Sequence, residues 1–177
     1  MADLISGRLE VDDDFEAVQA LYLESGWTDG LPIMPPTLER VEAMLASTPL
    51  SPQDIIGEIP PNWGSATVEK LAVNAMMAGC RPEYLPVITA AVEAMCDEVF
   101  NLYAIQATTH PCAPLIIVNG PICEELGLHG GSGAFGPGWQ PNATIGRAVR
   151  LVQLNVGGAD PGVGEMSTQG APSKYTY

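Results

Sequence analysis

Ser65-Ala66-Thr67-Val68-Glu69-Lys70-Leu71-Ala72-Val73-Asn74-Ala75-Met76-Met77-Ala78-Gly79, followed by Cys80-Arg81-Pro82-Glu83-Tyr84-Leu85-Pro86-Val87-Ile88-Thr89-Ala90-Ala91-Val92-Glu93-Ala94-Met95-Cys96, is the stretch that decides the fold. Ser65 or Thr67 opens a helix that runs to about Ala78, apolar at Val68, Leu71, Ala72, Ala75 and Met76. Gly79 is its natural stop. Pro82 sits in the first turn of the next helix, which runs to about Cys96. The two helices are nearly apolar all round, which predicts that they form the buried centre.

Upstream, Asp12-Asp13-Asp14-Phe15 begins a helix that reaches Glu24. Its acids suit the positive end of the helix dipole, and Gly26 ends it. Trp27-Thr28-Asp29-Gly30-Leu31-Pro32-Ile33-Met34-Pro35-Pro36 is not helical, because its prolines remove donors and force extended backbone. Thr37 caps a helix to about Ser47. A strand is expected from Asp54 to Ile59. Tyr103 to Thr108 and Leu115 to Val118 read as two more strands, the second supported by β-branched Ile116-Ile117-Val118. Asn142 starts the last long helix, to about Asn155. The expected class is α+β: a small sheet covered by several helices, in a single domain over residues 1–177. Residues 1–10 form an N-terminal extension. Residues 159–177 form a Gly/Pro-rich arm that takes its order from a partner.

The chain carries 21 acidic and 7 basic residues, a formal charge of −14. That excludes nucleic-acid binding, which needs clustered cations, and disfavours an anionic membrane surface. No apolar run approaches ~20 residues, so no membrane span is expected. The N-terminus, with Asp3 and Arg8, lacks a leader pattern, and a cytoplasmic location with reduced thiols follows. The four cysteines show no CxxC spacing. Two histidines without HxxxH or HxH spacing leave no metal site to expect, and no cofactor is called for.

The richest chemistry lies between Gln106 and Arg150. Thr109-His110-Pro111-Cys112 precedes an apolar run that stops at Asn119-Gly120-Pro121. His110 and Cys112 share a face if that segment is extended, and an imidazole near a thiol can create a nucleophile. A buried, inert Cys112 is the competing reading. The glycine-dense loop from Gly127 to Gly138 contains Gly131-Ser132-Gly133-Ala134-Phe135-Gly136. It matches a dinucleotide fingerprint only weakly, since Pro137-Gly138-Trp139-Gln140-Pro141 separates it from the helix and no acid follows at the ribose position. Gly131 and Gly133 instead suit close approach to a ligand or another backbone. Asn142 as N-cap, with Thr144 and Arg147 in the first turns, outlines a carboxylate or phosphate site. Arg147 paired with one of the many carboxylates is the alternative. Cys80, beside Arg81 at a helix junction, is either a second reactive thiol or a buried structural one. Asp29 is a general base or a turn cap. Lys70 and Asn74 share a helix face, and Lys70 pairs with Glu58 or Glu69 or binds substrate.

Several of these strings recur together elsewhere. Trp27 through Thr37, Ala66-Thr67-Val68-Glu69-Lys70, Asn74 through Tyr84, Ala113 through Pro121 and Phe135-Gly136-Pro137-Gly138 to Arg147 resemble the C-terminal region of the bacterial UGSC-type (seleno)proteins. The likeness covers the chain from about Glu24 onward. The family takes its name from a selenocysteine (or Cys)-Gly-Ser-Cys motif in a separate N-terminal domain, and this chain has no such motif. The resemblance implies thiol- or selenol-linked chemistry on a small molecule, with this chain as a stand-alone subunit and a partner supplying the reactive chalcogen. The expected function is therefore an enzyme, or enzyme subunit, of oxidoreductase or lyase type. It acts on a carboxylate-bearing small molecule through His110, Cys112, Cys80 and Asp29. Arg147, Asn142, Thr144, Asn119, Gly131, Gly133 and Lys70 bind the substrate. The alternative is a non-catalytic interaction subunit. A homo-oligomer, or a hetero-oligomer with a Cys/Sec-containing subunit, is expected in either case.

Overall fold

The computed structural model describes residues 4–177; Met1, Ala2 and Asp3 of the expected N-terminal extension lie outside the described residues. The elements are α1 (Phe15–Glu24), α2 (Leu38–Leu45), β1 (Ile55–Ile59), β2 (Gly64–Thr67), α3 (Val68–Met77), α4 (Leu85–Met95), α5 (Leu102–Ala107), α6 (Ile122–Leu126) and α7 (Gln140–Asn155). Short 3-10 turns cover Pro82–Tyr84, Glu98–Phe100 and Pro172–Lys174. The class is α+β. No described helix is long and apolar enough to cross a membrane.

The helix α3 is the centre, packing on α7, α2 and α4. Val68, Leu71, Ala72 and Ala75 are fully buried. Small residues at Ala72 and Ala75 let neighbouring helices approach closely, and Leu85, Ile88 and Val92 of α4 fill the space beside them. Thr67 caps α3 by accepting from the Lys70 N–H. Gly79, at φ +86°, ends it in the left-handed conformation that a side chain resists. Pro82 and Pro86 sit in the first turns of the two helical pieces that follow, where a missing N–H costs nothing.

The sheet is one antiparallel hairpin, β1 against β2, with Glu58 opposite Ser65 and Ile59 opposite Gly64. Neither of the two further strands expected from the sequence forms. Leu102–Ala107 is the helix α5, capped by Asn101, whose side chain accepts from the Ala104 N–H. Leu102 and Gln106, four apart, turn inward together, so tertiary burial overrides the strand preference of Tyr103 and Ile105. Leu115 to Val118 has no ladder partner among the described residues.

The terminal arm also differs from expectation, because its own chain holds it. Arg150 donates to the Ala159 carbonyl (2.9 Å), Met166 N–H to Gln106 (3.0 Å) and Thr168 N–H to Thr109 (3.1 Å). Glu165, buried, accepts from Ser167 and pairs with Lys174 at 2.9 Å. At the other end, the N–H groups of Ile5 and Ser6 reach the buried Glu69 carboxylate.

Candidate functional site

The proline-bounded segment Trp27–Pro36 is fixed from three helices. Gln19 of α1 exchanges two hydrogen bonds with the Ile33 backbone. Met34 N–H donates to Met77 at the end of α3. From α7, Asn155 donates to the Trp27 carbonyl and Arg147 grips Asp29. That last contact is bidentate: Arg147 Nε to Asp29 Oδ2 and Nη2 to Oδ1, each 2.8 Å, with Nη2 also 3.2 Å from the Leu31 carbonyl. The side chains are 14% and 4% exposed. Burial opposes ionisation of Asp29, but the Arg147 bonds and charge, the Leu31 N–H and the Thr28 hydroxyl outweigh it and hold the carboxyl below its ordinary value. The structure thus brings two expected site residues together as each other's partner. Arg147 makes the carboxylate pairing that stood as the alternative to an anion anchor.

Asn142 is not the N-cap of α7, which begins two residues earlier with Trp139 in the cap position. Its side chain instead accepts from the His129 N–H (2.9 Å) and donates to the His129 and Ala134 carbonyls. The His129 ring stacks flat on Trp139, centroids 3.7 Å apart, and its Nε2 lies 3.0 Å from the Ser132 carbonyl. Two tight turns, Ala134 N–H to Gly131 and Gly136 N–H to Gly133, consume further amides. The glycine loop is therefore folded on itself. Gly133 adopts φ +80° beneath the Trp139 ring, and a side chain at Gly131 would meet the His129 ring. Both glycines serve approach to neighbouring rings. No strand leads into the loop, as a dinucleotide fold requires.

Thr144 bonds back to the Gln140 carbonyl, and its own carbonyl accepts from the Cys80 thiol at 3.2 Å. Cys80 is buried, and burial pushes its thiol up to about 12, against smaller opposing effects of that bond and the Arg147 charge. It stays protonated near neutrality. Lys70 is exposed and donates to the Ser65 carbonyl (2.7 Å) rather than pairing with Glu58 or Glu69. Asn74, on the same helix face, is buried and bridges the Lys70 carbonyl to Asn155. Asn119 is exposed.

His110 and Cys112 are both exposed. The chain is not extended between them: Cys112 N–H closes a tight turn onto the His110 carbonyl at 2.9 Å, and His110 Nδ1 lies 3.2 Å from the Thr108 hydroxyl. Cys112 lines a shallow, solvent-open groove. It is also lined by Pro114 and Ile116, by Arg150 and Gln153 of α7, and by Lys174 and Tyr177 of the arm. Lys174 Nζ donates to the Cys112 carbonyl at 2.7 Å while pairing with Glu165. Neither His110 nor Arg147 lines this groove. Sequence reasoning missed Gln153, Lys174 and Tyr177. The available signal was the scarcity of cations, since Arg150 and Lys174 are two of only seven.

No group of three or more His, Cys, Asp or Glu side chains converges among the described residues. Comparison of the chain with protein-family models, with curated proteins and with solved structures gives no match.

Proposed function

We propose that this chain is an enzyme, or the substrate-binding subunit of one, that acts on a small carboxylate-bearing molecule by thiol-linked chemistry, with Cys112 as the thiol. One observation carries the reading. The exposed Cys112 shares its groove with Arg150 and Lys174 in a chain of net charge −14. An incoming carboxylate has Lys174 to bind, in competition with Glu165, and the desolvated Arg150 behind it. Cys80 is sealed, while Cys96 and Cys123 are half-buried, each with its thiol directed to a backbone carbonyl. His110, one tight turn from Cys112 along the chain, supplies or removes the proton. Oxidoreductase and lyase chemistry both start from this arrangement, and the resemblance to the UGSC-type proteins points the same way.

The test is alkylation of Cys112 by neutral iodoacetamide and anionic iodoacetate, read by peptide mapping. The iodoacetate-to-iodoacetamide rate ratio should rise about fivefold on folding, the factor given by about 1 kcal/mol of charge attraction. Lys174→Met should remove most of that rise. A ratio that falls on folding, as the net charge alone would dictate, refutes the reading. The non-catalytic alternative, an interaction subunit whose partner carries a Cys/Sec-Gly-Ser-Cys motif, draws on the exposed Ile117 and Phe135. Under it all four thiols react slowly with both reagents.

A further inference from the structure

We infer that the end of the arm, residues 169–177, is a hinged lid that closes on the Cys112 groove by docking its tip against Gly146 of α7. That the lid governs ligand entry rests on the function proposed above; that it moves as a unit does not. The last main-chain tie between arm and body is the Thr168 N–H to Thr109, at 3.1 Å. Beyond it, among the described residues, no main-chain N–H or carbonyl of residues 169–177 bonds outside the segment. The Lys174 and Tyr175 N–H groups close turns within it, onto Ala171 and Pro172. Gly170, at φ +64°, lies between the tie and the 3-10 turn Pro172–Lys174. A segment with no ladder or helix bonds to its surroundings opens at low cost, and a glycine at its base absorbs the change of direction.

Side chains alone hold the lid shut. The Thr176 hydroxyl donates to the Ala143 carbonyl (2.7 Å), with the Asn142 carbonyl 3.3 Å away. The Lys174 ammonium holds the Cys112 carbonyl and Glu165. The Tyr177 ring packs on Phe135, centroids 5.3 Å apart. Gly146 makes the fit. A Cβ there would collide with Thr176 Oγ1 and, at 2.5 Å, with the Tyr177 nitrogen, and its three nearest neighbours all belong to the tip. Glycine inside a helix is unfavourable. This close approach accounts for one in the middle of the 16-residue α7. The groove is lined on α7 by Gly146, Val149 and Arg150, and on the lid by Lys174, Thr176 and Tyr177. Lifting the lid therefore uncovers this face of α7 to an incoming carboxylate, and closing it brings the Lys174 ammonium to the same anion.

The experiment is limited trypsin digestion of the full chain, timed by mass spectrometry. The Lys174 side chain is 13% exposed and its main chain lies in the 3-10 turn, so cleavage there requires a lifted lid. Arg8, in the exposed N-terminal segment, is the reference site. Gly146→Ala should raise the cleavage rate at Lys174 relative to Arg8 at least about fivefold, the factor at the low end of overpacking costs, while Arg147 and Arg150 of α7 stay uncut. It should also carry the iodoacetate-to-iodoacetamide ratio at Cys112 most of the way to the Lys174→Met value. Unchanged cleavage at Lys174 overturns the lid, and raised cleavage with an unchanged ratio overturns its hold on the groove. Should Gly146→Ala open Arg147 and Arg150 as well, Thr176→Val decides by the same two readouts, because it removes only the hydrogen bond of the tip. A wild-type ratio that falls on folding refutes the proposed function instead, and the lid is then judged by cleavage at Lys174.

Discussion

Replacing Asp29 by Asn tests whether the Arg147 contact is the clasp that fixes the Trp27–Pro36 segment to α7. The pair is bidentate, at 2.8 Å on both bonds, with side chains 4% and 14% exposed. Removing one partner of such a pair leaves a charge uncompensated, typically at a cost of about 3–5 kcal/mol. Asn keeps the volume and one acceptor oxygen, and Arg147 keeps the Leu31 carbonyl. The expected loss is therefore about 2–3 kcal/mol, or roughly 4–12 °C in Tm for a chain of this size. Urea unfolding followed by tryptophan fluorescence is a suitable assay, since Trp27 sits in the clasped segment against Tyr22. A loss below about 1 kcal/mol would mean that the other ties to α1, α3 and Asn155 suffice, and would refute the clasp.

The reciprocal change, Arg147→Met, adds a sign that the first lacks. In the wild type the Asp29 carboxyl is held below its unfolded value, so its contribution is present above the ordinary carboxylate range and lost as pH falls through the folded value. Without the guanidinium, burial acts with much less opposition and pushes the same carboxyl up. The variant then gains relative to the wild type as pH falls. The stability gap should narrow between about pH 7 and about pH 4. A gap that stays constant or widens would contradict the electrostatic account.

Three further expectations follow from single contacts. Gly64→Ala would place a methyl 2.0 Å from the Val156 carbonyl oxygen, a backbone atom that cannot swing away, so a loss above about 2 kcal/mol is expected, and an unchanged urea midpoint would contradict it. The carboxyl of Glu165 is held low because the Lys174 and Ser167 bonds outweigh its burial. The arm should therefore loosen as pH falls below the ordinary carboxylate range, seen as faster proteolysis within residues 159–177, whereas acid-independent cleavage would sink the idea. Cys80→Ala should leave the alkylation rate of Cys112 unchanged and cost about 1–2 kcal/mol through the lost Thr144 contact and packing; slowed Cys112 chemistry would show that the buried thiol takes part.

The helical centre was legible because its signals are local. Thr67, Gly79 and Pro82 punctuate α3 and α4 through caps and missing donors, and continuous apolar character says that both are buried. The region from Asn101 to Val118 was not legible, because its structure depends on distant residues. Tyr103 and Ile105 have strand preference, but Gln106 faces the buried Gln153 of α7, and that contact needs the helix. Ile116-Ile117-Val118 has the composition of a strand and no strand beside it within the chain. The site was half visible for the same reason. Local position marked Arg147, Asn142 and Asp29 as candidates; only the fold shows that Asp29 takes Arg147 and that the loop takes Asn142.

The placement of the cations shows how little scarcity alone says about their use. Five of the seven donate to backbone carbonyls: Arg40 to Pro35, Lys70 to Ser65, Arg147 to Leu31, Arg150 to Ala159 and Lys174 to Cys112. Four of those carbonyls belong to irregular backbone: Pro35, Leu31, Ala159 and Cys112. A chain with one short hairpin and long irregular connections has many such groups to satisfy, and a long cationic side chain reaches them where no ladder can. Rare cations in an acidic protein are thus as readily staples as ligands. Under the proposed function, Lys174 is where the two uses coincide. The staple that ties the arm to Cys112 also brings an ammonium to the groove that holds the exposed thiol. An anion bound there would add to the Cys112 carbonyl bond rather than break it, because a lysine has three donors. Substrate binding should therefore tighten the arm, and protection of residues 159–177 from proteolysis by small carboxylates is the sign of it. Carboxylates that leave the cleavage rate unchanged would separate the staple from the site.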